Sequence, residues 1–425
     1  MSSEMKVLWL SSANILADEK KGSGYNGKGW IGSLLDAVRE FAPGVHTDIA
    51  FIGSGNSDVT TRNGVTFHSI GSRKPEGLKK LVFNWTGKPE EVYDDNILDI
   101  VERSQPDLVH IFGAESKLAS GLTCINGIPV ILHIQGILNE CTGLFFPEDI
   151  KRSDFMDNAS FFNEMILRNG YLHLYEDFRR RAEKEKKYLS ATRFAMGRTE
   201  WDKAVLGKFS NAEYFHVDEV LRPEFYANAG TWKYRKYGKN KIQLISTISE
   251  MPYKGIDVIL KTASILKSKG LEFEWNVAGV REKSDLVRIF EKKYGISGKE
   301  SGVNFTGIKT PDEIVGMITG SDIYIHPSYI ENSPNSLCEA QMTGIPAIAA
   351  DTGGIPSIAG YGKASLLYPN GDAAALAGSI YQLSSNPEYA EQIGKRGQNI
   401  AAKRHDKRHI VSDLLAAYEM ARKLY

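Results

Sequence analysis

Short apolar runs alternate with longer stretches of helical period along almost the whole chain. Lys6–Ser11, Thr47–Ile52, Val65–Ile70, Leu108–Phe112, Val130–Ile134 and Phe194–Arg198 read as strands, with amphipathic stretches such as Trp30–Phe41 and Asn96–Arg103 between them. After Phe225 the pattern lapses into the polar, basic run YANAGTWKYRKYGKNK, which predicts a linker. The alternation then restarts, with strands at Gln243–Ile248, Phe273–Ala278, Ile323–His326, Pro346–Ala350 and Ser365–Tyr368. Lys254–Lys267 sets Ile256, Ile259, Ala263 and Leu266 on one helical face. Strands alternating with helices imply parallel βαβ units. The expected fold class is therefore α/β, with doubly wound parallel-sheet halves over 1–230 and 231–405 and a helical tail over 406–425. Ligands of such sheets sit outside the carboxyl ends of the strands, here in a cleft between the halves.

Composition narrows the function classes. Hydrophobic residues make up 42% of the 425 and charged residues 24%, which excludes a disordered or fibrous chain. Lys+Arg and Asp+Glu both number 52, so no bulk positive charge is available for binding nucleic acid. The balance hides a split: Met1–Gly230 holds 27 basic and 32 acidic residues, and Thr231–Tyr425 holds 25 and 20. An anionic ligand would favour the second half, although five of its basic residues fall between Lys233 and Lys241. Cys124, Cys141 and Cys338 are too few and too scattered for a disulfide framework or a zinc site, and Cys338 reads as a small core residue. No apolar run approaches a membrane span, and MSSEMKVLWLSS lacks the pattern of a signal peptide, so a soluble, cytoplasmic protein is expected.

Candidate chemistry concentrates in Asp322–Ser357, DIYIHPSYIENSPNSLCEAQMTGIPAIAADTGGIPS. A strand ends at His326-Pro327-Ser328. Ser333 is placed to cap a helix, Pro334 to occupy its first position, and Gly344 to stop it. The amino end of that helix, with its free amides and dipole, is an anion site. Glu331 precedes the cap, and Glu339 lies among Leu337, Cys338, Ala340 and Met342, where a carboxylate is costly unless hydroxyls, amides or a cation satisfy it. The diols of a ribose or hexose would do so; so would a partner Arg or Lys.

The spacing Glu331-x7-Glu339, with His326-Pro327-Ser328 before it and Gly344-Ile345-Pro346 and Gly353-Gly354 after it, resembles the donor-site signature of glycosyltransferase family 4. Tyr253-Lys254-Gly255-Ile256-Asp257, Asn276-Val277-Ala278-Gly279, Asn304-Phe305-Thr306-Gly307 and Pro106-Asp107-Leu108-Val109-His110 resemble further family motifs in the same order. The resemblance implies the GT-B fold, two Rossmann-like domains facing a cleft, with the tail helix crossing back to the first. It implies a retaining transfer of a hexose from a nucleoside-diphosphate sugar to a carbohydrate or glycolipid acceptor. Glu331 would contact the donor sugar, Glu339 the ribose, and Lys254 the diphosphate together with the helix start at Asn335, Ser336 and Leu337; Gly354 belongs to the same donor site. One Lys and a helix terminus stabilise a leaving diphosphate without a metal, and no Asp-x-Asp occurs, so neither metal nor cofactor is expected.

Two positions depart from the family pattern. Where an Arg usually stands five residues before the Lys, this chain has Ser249; Arg198 and Arg222 are the candidate substitutes. Where a His usually ends the strand ProValIleLeuHisIleGln, the slot falls to Gln135, or to His133 two residues earlier. The loop Gly22–Gly32 matches G-x-G-x-x-G twice, but it starts too far from the first strand and lacks the acidic partner of a dinucleotide site. In the resembling family such a loop approaches the donor phosphates and acceptor, which assigns Gly27 and Gly29. Acceptor recognition falls to the first half. There Glu176–Arg193 carries seven basic and four acidic residues, read as a solvated helix face in preference to a peripheral membrane contact. The alternatives are a GT-B nucleotide-sugar epimerase and a non-catalytic nucleotide-sugar-binding protein, the latter favoured by the missing Arg and His.

Overall fold

The computed structural model describes residues 4–11, 29–54, 56–72, 84–85, 93–156, 162–234 and 241–425. Among these the strands form two sheets. The first comprises β1 (Met5–Ser11), β2 (Val45–Ser54), β3 (Asp58–Arg62), β4 (Val65–Ser72), β5 (Leu108–Phe112), β6 (Val130–His133), β7 (Phe194–Gly197) and β8 (Glu213–His216), in the order β3-β4-β2-β1-β5-β6-β7-β8. The second comprises β9 (Ile242–Thr247), β10 (Phe273–Ala278), β11 (Val303–Gly307), β12 (Ile323–His326), β13 (Ala347–Asp351) and β14 (Leu366–Pro369), in the order β11-β10-β9-β12-β13-β14. The pairings are parallel except β3 with β4, as expected of strands joined by helical crossovers.

Three strands lie outside the expected set. β3 is an exposed ribbon paired antiparallel to β4 through Asn63-Gly64, both at positive φ. An Asn-Gly pair is itself a hairpin signal, so its sequence did announce the turn. β8 and β11 are short and half-exposed, and neither shows a continuous apolar run. The expected linker is also more ordered than its polarity suggests. Pro223–Ala227 is helical, and Trp232 is buried, its indole N–H donating to the Ser321 carbonyl at 2.8 Å; residues 235–240 lie outside the described set.

Both sheets are covered on both faces by helices. Helix α1 (Gly29–Phe41) buries Ile31, Leu34, Leu35 and Val38 against one face of the first sheet, and α2 (Asp94–Ser104) buries Ile97 and Ile100 against the other. The long α3 (Tyr171–Ala191) buries only Phe178, Ala182, Glu185 and Leu189. On the second sheet, α4 (Ile256–Ser268) packs Ile256, Ile259, Ala263 and Leu266 into the core, the stripe its period specifies. Helix α5 (Asn335–Thr343) follows β12 and is buried along most of its length.

The tail helix crosses back to the first sheet. Helix α6 (Pro387–Arg404) packs on α5 and ends at His405; α7 (Lys407–Leu424) then lies on the first sheet, burying Ile410, Val411, Leu414, Ala417, Tyr418 and Ala421. The large side chains among these contribute roughly 1.5–3 kcal/mol each by burial. Tyr418 Oη accepts the Trp9 indole N–H at 3.1 Å and sits 2.6 Å from His110 Nδ1, so the contact is also specific.

His110 belongs to an aromatic layer with Trp9, Phe112, Trp30 and His133, the two imidazoles stacked at 5.4 Å. Burial drives His133 down to about 3 and His326 to about 4. A histidine whose folded pKa is depressed gains a proton only on unfolding once the pH drops below its unfolded value near 6.5, so its neutral burial loses stability as pH falls. His133→Phe should therefore gain on the wild type progressively from pH 6.5 to 4.5, by up to about 1.4 kcal/mol per pH unit. Urea melts of both proteins across that range check this; parallel pH profiles would contradict it.

Candidate functional site

The site forms where the chain leaves β12 and meets the start of α4. Gly255 stands at φ +79, and a Cβ there would overlap the Pro327 carbonyl, so only glycine lets the two backbones touch. The Tyr329 amide donates to the Tyr253 carbonyl at 2.8 Å and fixes the same approach. Lys254, carried between these contacts, donates its ammonium to the Glu331 carboxylate. His326 Nε2 lies 3.7 Å from the same carboxylate. Beneath it, Gly353 and Gly354 pack against the backbone of Glu331 and Asn332 so closely that a Cβ on either would overlap a carbonyl oxygen. The Gly354 amide donates to the Glu331 carbonyl at 2.9 Å.

Electrostatics keep this pair ionised. Burial pushes the Glu331 carboxyl up, but the Lys254 ammonium outweighs it and holds the group below the usual carboxylate range. Burial likewise opposes the charge on Lys254, and Glu331 overcomes it, leaving the lysine above its ordinary value. A buried pair of this kind survives only through mutual compensation, and a ligand with both hydroxyls and phosphates offers each partner a substitute.

Helix α5 begins beside it, with one change from expectation. Pro334, at φ −71 and ψ 105, is the N-cap and not the first helical residue, and Ser333 does not cap; its hydroxyl donates to Glu219 Oε1 at 2.8 Å. The buried Glu219 carboxylate recruits that hydroxyl instead, and its Oε1 also lies 3.1 Å from Cys338 Sγ. The Leu337 amide, expected to face an anion, donates to the Pro334 carbonyl at 2.9 Å. The amides of Asn335 and Ser336, in the first turn, have no intrahelical acceptor, and Asn335 Oδ1 is buried without a partner among the described residues. Gly344 ends the helix at φ +92, as its position required.

Glu339 is buried and already has a cation. Arg222 grips it through Nε–Oε1 at 2.7 Å and Nη2–Oε2 at 2.8 Å, a bidentate pair. Burial still leaves the carboxyl above its ordinary value. Arg222 is thus committed to Glu339. Arg198, the other candidate for the missing clamp, is buried over the Trp30 ring and lies 3.6 Å from Glu219. Ser249 is exposed and brings no charge to the site.

On the facing side, Gln135 follows β6. Its carbonyl accepts Asn332 Nδ2 at 3.0 Å, and Asn332 Oδ1 accepts the Thr199 hydroxyl at 2.7 Å, so the loop after β12 is tied to the ends of β6 and β7. Gln135 Nε2 is a buried donor without a partner among the described residues. His133 has no exposure, and its ring lies within the aromatic layer of the first sheet. Gly29 opens α1 at φ +65, and Gly27 lies outside the described residues. Glu219, Asn332 and Thr199 were not singled out from sequence; Asn332 adjoins Glu331, but nothing local distinguishes Glu219 from an exposed acid. Glu219, Cys338 and His405 place ligand-type atoms within 4.8 Å of one another. With Arg198 and Arg404 depressing its proton affinity against burial, that carboxylate is already compensated.

Across its whole length the chain superposes on sucrose-phosphate synthase from Thermosynechococcus elongatus, with a TM-score of 0.67 at 14% identity, covering 99% of this chain and 100% of that one. Anabaena HepE in complex with UDP and glucose gives 0.61 at 14% identity, covering 98% and 100%. The chain has the GT-B fold. Within it, residues 233–400, which hold the whole Lys254–Glu339 region, match the family model of glycosyl transferases group 1. The amylovoran biosynthesis glycosyltransferase AmsK of Erwinia amylovora is 27% identical over 191 residues, 43% of this chain and 45% of that protein. The D-inositol 3-phosphate glycosyltransferase of Rhodococcus erythropolis is 29% identical over 181 residues, 40% of this GT-B chain and 39% of its relative. The chain spans less than half the length of these curated relatives.

Gly255→Ala must shift either Lys254 or Pro327, and should lower stability by about 1–3 kcal/mol. Arg222→Ala leaves Glu339 buried and uncompensated, which should cost about 3–5 kcal/mol; Arg222→Ala with Glu339→Gln should recover part of the loss. Denaturant midpoints measure both, and an additive double variant would contradict the pairing.

Proposed function

We propose that this chain is a retaining glycosyltransferase of the family 4 type that moves a hexose from a nucleoside-diphosphate sugar to a carbohydrate hydroxyl. The observation that carries the reading is the meeting of Lys254 and Glu331 at the carboxyl end of β12, beside the free amides that open α5. In this reading the donor exchanges with the ion pair. Its diphosphate takes the Lys254 ammonium and the Asn335 and Ser336 amides, while the sugar hydroxyls take Glu331. Charge growing on the leaving diphosphate is then met by a fixed cation and a helix terminus, which is the largest electrostatic contribution open to such a site. That cation makes the transfer metal-independent. Glu339, with Arg222 released or shared, would receive the ribose diol.

Gln135 is a hydrogen-bond donor and cannot act as a base, so the acceptor's proton passes to the leaving phosphate. The acceptor approaches from the ends of the first-sheet strands, and closure of 1–230 on 231–405 completes the site. A role in polysaccharide synthesis is supported by the relative AmsK, named for amylovoran biosynthesis. Among the described residues no helix is long and apolar enough to cross a membrane. Helix α3 pairs its charges internally, Arg179 with Glu176, Arg180 with Asp177 and Lys186 with Glu183, which supports a solvated face over a lipid-binding one. A second reading, a nucleotide-sugar-binding protein without turnover, draws on Gln135 and Ser249 at the two altered positions.

A thermal-shift panel of UDP-, GDP-, ADP- and dTDP-sugars, followed by assay of nucleoside-diphosphate release, separates the two. Glu331→Gln should lower transfer at least about 100-fold while nucleoside-diphosphate affinity changes little, and Lys254→Met should weaken that affinity. Wild-type turnover in Glu331→Gln would overturn the assignment.

A further inference from the structure

We propose that Glu115 forms the acceptor subsite, its unpartnered carboxyl oxygen receiving a hydrogen bond from a carbohydrate hydroxyl brought in from the first-sheet side. This rests on the glycosyl-transfer reading above, and assigns to it a residue that the donor signature does not contain.

The carboxyl is held where the strands of the first sheet end. β5 finishes at Phe112, Gly113 turns the chain at φ +84, and the Glu115 side chain folds back over that turn, where a Gly113 Cβ would come within 2.6 Å of Oε2. Gly136, just past β6, donates its amide to Oε1 at 3.3 Å, and a Cβ there would make only ordinary contact with that oxygen. The cradle thus consists of the Gly113 turn and the Gly136 amide. Oε2 is buried and has no partner among the described residues. Such an orphan acceptor costs stability unless a ligand uses it.

Its place relative to the donor side follows from one continuous line of contacts. Glu331 adjoins Asn332, Asn332 bonds to the Gln135 carbonyl, and Gly136, next in sequence, bonds to Glu115. The charged groups facing Glu115 are Arg181 and Glu185, both from α3. Arg181 donates to the Glu115 backbone carbonyl at 3.0 Å. Glu185 receives the amides of Leu138 and Asn139 and is thereby occupied. Burial first, with Glu185 adding to it, raises the Glu115 carboxyl to about 7. The ionised form is the stronger hydrogen-bond acceptor, so hydroxyl recognition at this position weakens as pH falls through neutrality.

The test uses the full chain with whichever nucleotide sugar stabilises it most, and with mono- and disaccharides of glucose, galactose and mannose as acceptors. Glu115→Gln keeps an oxygen for the Gly136 amide and turns Oε2 into a donor. It should raise the acceptor KM about tenfold, leave the donor KM within about twofold, and abolish the rise of acceptor KM below pH 7 expected of the wild type. Glu115→Asp, which retains the charge but falls short of the cradle, should also raise the acceptor KM while keeping a pH dependence; matching melting temperatures exclude misfolding. An unchanged acceptor KM in both variants, parallel loss of donor and acceptor affinity, or donor hydrolysis without transfer to any of these sugars overturns the subsite. A wild-type chain that neither binds nor cleaves any nucleotide sugar overturns the glycosyl-transfer reading itself.

Discussion

An ammonium and a carboxylate can stay charged inside a protein only by compensating each other, and the Lys254–Glu331 pair does this where the chain leaving β12 meets the start of α4. Everything near it is arranged to bring those two groups together from positions 77 residues apart in the chain. Gly255 removes the side chain that would separate α4 from the end of β12, and Gly353 and Gly354 remove those that would lift the loop carrying Glu331. Each half of the pair is costly alone, so under the proposed reading a molecule offering phosphate to one and hydroxyls to the other would enter without leaving either group stranded.

A second buried carboxylate ties the parts of the molecule that flank this centre. Glu219 receives Ser333 from the loop before α5, lies against Arg198 at the end of β7, and offers its backbone carbonyl to His405 Nδ1 at 2.9 Å, where α6 gives way to α7. The loop before α5, the first sheet and the return of the tail therefore meet at one residue.

Most of the fold was readable from periodicity. Leu108–Phe112 and Ile323–His326 are strands with the bounds expected of them because central parallel strands are buried on both faces, and Phe273–Ala278 keeps its bounds through alternation, with Glu274 and Asn276 on the half-buried face. β3 and β8 escaped because edge strands answer to solvent on one side. The site divides in the same way. Glu331, Lys254 and the glycines around them are legible because close backbone approach and buried charge admit few residue types. Ser333, Leu337 and His133 were misplaced because their settings depend on partners distant in sequence. Glu219 took the Ser333 hydroxyl, the Pro334 carbonyl took the Leu337 amide, and aromatic rings enclosed His133. Glu339 was recognised as an expensive buried carboxylate, but that its compensation in the unliganded chain would be Arg222, across 117 positions, was not inferable from spacing.

The return of α7 to the first sheet also bears on how the molecule assembles. Trp9 and His110, from the first third of the chain, find their hydrogen-bond partner in Tyr418, more than three hundred positions later. Helices α1 and α7 share one face of the first sheet, so that the cover of this core is drawn from segments nearly four hundred positions apart and a cut between them would separate the two halves of one packed layer.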